Sequence, residues 1–329
     1  MIKKLYHLCL ILVLVTVCIL VKSCKQDKIS LEWRRIEPDS SNCHPINLFF
    51  FSPDTGIVFG LRNTEQNYTM ITFDGGKSWN YQEYPHDYPE MSGIWDVYAV
   101  NMTLIYGYSE NMLLVSTDLC KTWSIVDSVM PASPKSLKML DDKIGFIGGI
   151  DGNIYKSIDG GKTWICKYES MQGGIVNTLF SFNETIYASL IVSFEFGGLI
   201  IKSDDYGENW HEALRSYSSL RQLGFLDKNF GMAIFYRNYL LTTSDSGQSW
   251  QTEECNIIPI EPNGYIQLID RQEAYLASDK SIIHTLDGGI NWNLSLFSPG
   301  SGFSGIQMLS KDCGYAVDAI NGYIYKYGE

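Results

Sequence analysis

The residues of this chain that could support chemistry are its regularly spaced carboxylates, two arginines and a few histidines. Six aspartates, Asp74, Asp118, Asp159, Asp205, Asp245 and Asp287, recur at intervals of 44, 41, 46, 40 and 42 residues. Carboxylates are the working groups of glycosidases, but a retaining mechanism needs two of them close together, a distance that spacing does not give. Arg62 and Arg237 occupy similar places in their repeats. A pair of guanidinium groups suits recognition of a carboxylate, because each planar fork makes two parallel hydrogen bonds. No third arginine joins them. The histidines beyond the N-terminal segment, His44, His86, His211 and His284, are scattered and form no His-Glu-x-x-His or Cys/His cluster. The Asp-Gly-Gly turns lack the several acidic ligands of a calcium loop. Neither a Gly-x-Ser-x-Gly nor a phosphate-loop sequence is present, so no metal and no cofactor is expected.

Each aspartate belongs to an octet that ends in tryptophan: TFDGGKSW (72–79), STDLCKTW (116–123), SIDGGKTW (157–164), SDDYGENW (203–210), TSDSGQSW (243–250) and TLDGGINW (285–292). An aspartate side chain can accept hydrogen bonds from amides a few residues on and so lock a tight turn. Glycine supplies the positive φ that such a turn needs. The tryptophans, Trp79, Trp123, Trp164, Trp210, Trp250 and Trp292, are then expected to bury their rings between neighbouring repeats, each contributing on the order of 2–3 kcal/mol. Read this way the octets are folding devices. In one copy Cys120 replaces the usual glycine, which leaves that turn either strained or built on another geometry.

The elements around each octet are short strands. In residues 134–169, PKSLKML, IGFIGGI, NIYKS and WICKYE are separated by turns rich in Asp and Gly. Four strands per repeat of roughly forty residues predict an all-β, seven-bladed β-propeller with four-stranded antiparallel blades. Trp33 lies 46 residues before Trp79 but has no octet before it, and YIYKYGE at the C-terminus aligns with NIYKSID. The strand around Trp33 is therefore expected to complete the last blade, closing the ring and removing its open edges. Residues 31–329 form one propeller domain in this reading.

The first 23 residues read as an address. MIKKLYH is basic, a 14-residue apolar run follows, and VKSC ends at Cys24. This resembles a bacterial lipoprotein signal in which Cys24 is lipidated, giving a signal peptide over 1–23 and a polar tether over 24–30. The alternative is an uncleaved N-terminal anchor. Either one exports the chain and holds it at a membrane, in the periplasm or at the cell surface. Removing those residues, with their three lysines and no acid, takes the net charge from −12 to −15. So acidic a surface repels phosphate backbones and excludes nucleic acid as a partner. Five cysteines remain, Cys43, Cys120, Cys166, Cys255 and Cys313, an odd set that allows at most two disulfides.

The octet pattern Ser/Thr-x-Asp-x-Gly-x-x-Trp resembles the Asp-box, or BNR, repeat of sialidases and related propellers. The wider string GFIGGIDGNIYKSIDGGKTW at 145–164 is more similar to the photosystem II stability and assembly factor-like propellers. That resemblance implies an exported, seven-bladed, non-enzymatic platform that helps to assemble a membrane complex. The photosynthetic members use an arginine-rich patch, whereas this chain has seven arginines and an acidic balance, so their partner is not implied. A sialidase would carry an Arg-Ile-Pro motif; here RRIEP at 34–38 is interrupted by Glu37.

The loops opposite the octet turns are the expected working face. They include YPHDYPEM (84–91), YSEN (108–111), SFEFGG (193–198), YRN (236–238) and FSPGSGF (297–303), rich in aromatic rings with polar tips that suit peptide or sugar contacts. Arg62, Trp95, Glu110, Tyr236 and Arg237 are the binding candidates, and Glu110, Glu195 and Asp279 make the face partly acidic. The expected function is a monomeric, membrane-anchored propeller that binds a protein partner in the cell envelope as a scaffold or assembly factor. The alternative is a sialidase-like propeller that binds or hydrolyses glycans.

Overall fold

The computed structural model describes residues 31–36, 43–62, 66–83, 96–109, 112–127, 130–131, 133–193, 197–218, 220–235, 239–253, 266–278, 280–299 and 302–328. Trp33–Glu329 forms one compact unit. Its described residues hold 28 strands in seven four-stranded antiparallel sheets and no helix; numbered in chain order, blades 1 to 6 have their strands within 43–83, 96–127, 134–168, 175–216, 220–253 and 266–297, and blade 7 joins 303–327 to 33–36. Blade 3 shows the pattern: Pro134–Met139, Gly145–Gly149, Ile154–Ser157 and Ile165–Tyr168 pair in chain order. The four strands expected from residues 134–169 are those four, within a residue or two at their ends. First strands of successive blades contact one another, which places them at the centre of the ring.

Blade 7 closes the ring as the sequence predicts. Trp33–Ile36 pairs antiparallel with Tyr323–Tyr327, in the register Trp33↔Tyr327 to Ile36↔Ile324. The N-terminal strand thus supplies the outer edge of a sheet whose other three strands come from the C-terminus. Trp33 packs edge-on against Tyr275 of blade 6 at 6.5 Å, and its indole N–H donates to Ser295 Oγ at 3.0 Å.

The seam between blades 7 and 1 is sewn by side chains. The Gln307 amide accepts from Phe50 N at 2.6 Å and donates to Phe50 O at 2.9 Å. Tyr315 stacks on the Phe50 ring and donates to Pro53 O at 2.7 Å. Buried backbone groups must be paired somewhere, and here a side chain from the neighbouring sheet supplies both partners.

All six octets adopt one geometry. In the turn of blade 3, Asp159 Oδ1 accepts from Thr163 N at 2.9 Å and Oδ2 from Thr163 Oγ1 at 2.6 Å, while Ser157 Oγ donates to Oδ1 at 2.8 Å and accepts from Gly161 N at 2.8 Å. Asp74, Asp118, Asp205, Asp245 and Asp287 repeat this arrangement. Each tryptophan joins an apolar cluster that includes the preceding blade: Trp79 with Tyr315, Trp164 with Leu113, Trp250 with Tyr187. Indole rings thus pin blade to blade around the ring.

The copy with Cys120 keeps the common geometry and bears strain. Cys120 N donates to Ser116 Oγ at 2.9 Å, as a glycine does elsewhere. Leu119 and Cys120 both lie in the left-handed region, at φ 59° and 62°. That region costs an L-residue about 1–2 kcal/mol. The buried Cys120 side chain packs in one cluster with Ile57, which stands where blades 3, 4 and 7 carry Phe146, Tyr187 and Tyr315.

Candidate functional site

The face away from the octet turns is built by the loops between second and third strands and by the connections from one blade to the next. Where these loops are described, carboxylates and small residues hold them rigid. On blade 3, Asp151 accepts from Asn153 N at 3.0 Å and from Tyr155 OH at 2.8 Å, and Asn153 Oδ1 accepts from Ser170 N at 2.9 Å. On blade 7, Asp318 is fully buried; its carboxylate accepts from the amides of Gly302, Ile320 and Asn321 and from Ser298 Oγ, all at 3.1–3.2 Å. Asp318 thereby ties two loops together and has no capacity left over for a reaction.

A second feature of this face is invisible in the sequence. Five central strands carry a β-bulge at the same rung, near the end that opens on this face. The extra residues are Ile46, Lys135, Asn177, Arg221 and Ser304, each lying between two residues that oppose consecutive partners. A bulge re-aims side chains and sharpens local twist. Here it turns five central strands in step at the mouth of the ring. Two hydrogen bonds cross between blades at this rung: Ser304 Oγ to Pro45 O at 3.0 Å, and Ser136 Oγ to Val176 O at 3.1 Å. The bulged residues differ in charge and size from blade to blade, unlike the octets. No periodic signal marks them, because a bulge shifts the pleat by one residue without changing composition.

Of the binding candidates, Arg62 ends the strand Gly56–Arg62 and pairs through its backbone with Cys43 and Gln66. The Arg62 side chain lies outside the described residues, as do Trp95, Glu110, Glu195, Tyr236, Arg237 and Asp279 and the signal-like segment with Cys24. The six octet aspartates sit one to a blade, so the turns keep them apart. Their carboxyls are held low. The Ser78 hydroxyl and amide bring Asp74 to about 2, and Thr163 and Asn209 do the same for Asp159 and Asp205. A carboxylate so saturated with donors is a poor proton donor or nucleophile. Among the described residues no three His, Cys, Asp or Glu side chains come together as metal ligands. The described cysteines Cys43, Cys120, Cys166 and Cys313 form no disulfide.

A rigid ring with a sculpted loop face is suited to holding another molecule. Residues 25–194 match the family profile described as photosynthesis system II assembly factor YCF48. This chain belongs to that family. No curated relative matches it by sequence. Among solved structures, it is similar to one described as YCF48 bound to D1 peptide, with TM-score 0.70 and 19% identity over 90% of this chain and 97% of the other. It is also similar to YCF48 from Cyanidioschyzon merolae, with TM-score 0.66 and 16% identity over 90% and 98% of the two chains. A GH74 enzyme from Niastella koreensis aligns at TM-score 0.61 and 12% identity, over 85% of this chain and 51% of the enzyme. At such identities these likenesses show the fold, a propeller shared by assembly factors and glycosidases alike.

Proposed function

We propose that this YCF48-family propeller is an exported lipoprotein, anchored through Cys24, that acts as a non-enzymatic protein-binding scaffold or assembly factor for a complex of the cell envelope. The observation that carries the reading is membership of an assembly-factor family together with a ring closed by its own N-terminal strand. A ring held by interblade tryptophans and a sewn seam presents its loops with little freedom to lose on binding, which favours recognition. The solved YCF48 structure with a bound D1 peptide supports a peptide segment as the contacted element. The acidic balance of this chain directs it to a partner with other chemistry than an acidic one.

The test is chemical crosslinking of intact membranes followed by affinity capture of the full chain. A scaffold retains a reproducible set of envelope proteins, and Cys24→Ala abolishes palmitate incorporation and leaves residues 1–23 uncleaved. If the capture is empty while a fluorogenic glycoside panel is turned over, and Arg62→Ala or Arg237→Ala stops that turnover, the glycan alternative replaces the scaffold.

A further inference from the structure

Four exposed large apolar side chains among the described residues lie on the loop face of blades 3 and 4, spread from its central strand to its outer one. Ile150 is 54% exposed, Met171 102%, Ile175 36% and Tyr217 97%. Ile150 follows the second strand of blade 3 and its amide donates to Ser133 O at 3.1 Å. Met171 crowns the connection from blade 3 to blade 4, Ile175 begins the first strand of blade 4, and Tyr217 follows its outer strand.

The backbone that carries these residues is held still. An atom added at Gly152 would meet Gly173 O at 2.8 Å, so the loop bearing Ile150 presses directly on the turn bearing Met171. Ser170 fixes that turn from both sides, its amide donating to Asn153 Oδ1 at 2.9 Å and its hydroxyl to Gly173 O at 2.7 Å. Gly174, at φ 122°, approaches Ile191 O so closely that no side chain fits, which locks the turn onto blade 4. Gln172 Oε1 accepts from Arg215 at 3.3 Å and so links the turn to the strand that leads into Tyr217. Large apolar side chains presented to water on one face by a fixed backbone mark an interaction surface.

The charges around this ledge select its occupant. Arg215 is neutralised by Glu212 through bonds of 2.6 and 3.0 Å, and Lys167 pairs with Glu208 at 2.6 Å. Asp151 and Glu169 have no cationic partner among the described residues. Their field is felt locally: after burial, Glu169 and then Asp151 help to push the nearby Cys166 thiol up. Lys135 is exposed on the central side, toward the mouth.

We propose that the ledge of Ile150, Met171, Ile175 and Tyr217, bordered by Asp151 and Glu169, is the docking surface for an extended peptide segment of a partner protein that carries an apolar residue beside a lysine or arginine. Met171 and Tyr217 supply the apolar contact, and the two carboxylates supply charge complementarity that sets approach and register. The proposal rests on the scaffold reading and specifies the part of the loop face that does the work.

The experiment uses the full chain and three fluorescent 12-residue peptides: alternating leucine and lysine, alternating leucine and glutamate, and alternating serine and lysine. Fluorescence anisotropy is expected to show binding of the leucine–lysine peptide alone, weakened by added salt. Met171→Ser/Tyr217→Ser should lower that affinity at least tenfold, and Glu169→Lys several-fold, with unchanged thermal unfolding because the three side chains project into solvent. Failure of the wild-type chain to bind any peptide, preference for the glutamate peptide, or indifference to the double variant would overturn the proposal. So would variant-sensitive adsorption to phosphatidylcholine vesicles, which would assign the ledge to lipid. The scaffold reading is judged apart, by crosslinked capture. If Met171→Ser/Tyr217→Ser retains the wild-type set of partners, the ledge is refuted and the scaffold stands; if wild type captures nothing, the scaffold fails.

Discussion

Changing Gly161 to alanine tests whether the octet turns act as rivets between blades or as independent local turns. Gly161 and Gly247 occupy the same octet position in blades 3 and 5, both left-handed, at φ 91° and 74°. Alanine at either site bears the left-handed conformation, about 1–2 kcal/mol. What differs is the neighbouring blade. A Cβ at Gly161 would lie 2.2 Å from Leu113 Cδ2, whereas at Gly247 the nearest atom is Tyr187 Cε1 at 3.4 Å, an ordinary contact. Leu113 is fully buried, so it can yield only by disturbing the packing of blade 2. Overpacking of that kind adds about 1–3 kcal/mol. Gly161→Ala should therefore destabilise by about 2–5 kcal/mol and Gly247→Ala by about 1–2 kcal/mol. Urea denaturation followed by tryptophan fluorescence reads both as midpoint shifts at constant slope. Leu113→Ala combined with Gly161→Ala should recover about 1–3 kcal/mol relative to the sum of the single changes. Equal losses at the two glycines, or strict additivity with Leu113→Ala, would refute the interblade contact as the source of the effect and leave the octets as purely local turns.

Three further outcomes follow from the same geometry. Trp33→Ala removes the half-buried ring that bridges blades 6 and 7 and should lower stability by about 1–3 kcal/mol, read by denaturant titration; an unchanged midpoint would contradict that bridge. Gln307→Ala leaves both backbone groups of the buried Phe50 unpaired and should destabilise by about 1–3 kcal/mol, whereas Gln307→Glu, which sets a carboxylate oxygen against Phe50 O, should cost at least as much. The octet carboxyls are depressed to about 2 in Asp74, Asp159 and Asp205, below the unfolded value near 4. Such groups favour the folded state above pH 4, and that contribution disappears as pH falls through about 2. Melting temperature should therefore drop across the window from pH 4 to pH 2, and Asp159→Asn, less stable at neutral pH, should show a shallower drop; parallel curves would contradict the assignment.

The likeness to glycosidase propellers shows why fold and chemistry are separate matters here. The octets that make this chain look like a sialidase are engaged in their own turns, with every carboxylate oxygen taken up by donors within four residues. Hydrogen bonds that fix the folded turn also remove the proton-transfer capacity an active carboxyl would need.

Much of the architecture was legible in the sequence because its determinants are local. An octet encloses its own hydrogen-bonded turn, so Asp159, Thr163 and Gly161 can be recognised from eight letters. Strands three to nine residues long announce themselves by composition between such turns, and the displaced strand around Trp33 followed from counting them. What only the tertiary structure decided lies between residues of neighbouring sheets, from 40 to 257 positions apart. The contact of Gly161 with Leu113, the Gln307 bridge to Phe50 and the common rung of the five bulges depend on how one sheet is set against the next. So does the placing of Ile150, Met171, Ile175 and Tyr217 on one exposed face. Backbone hydrogen bonding has a short reach and leaves a periodic trace in the chain, whereas side-chain packing between sheets depends on shape in three dimensions and leaves none.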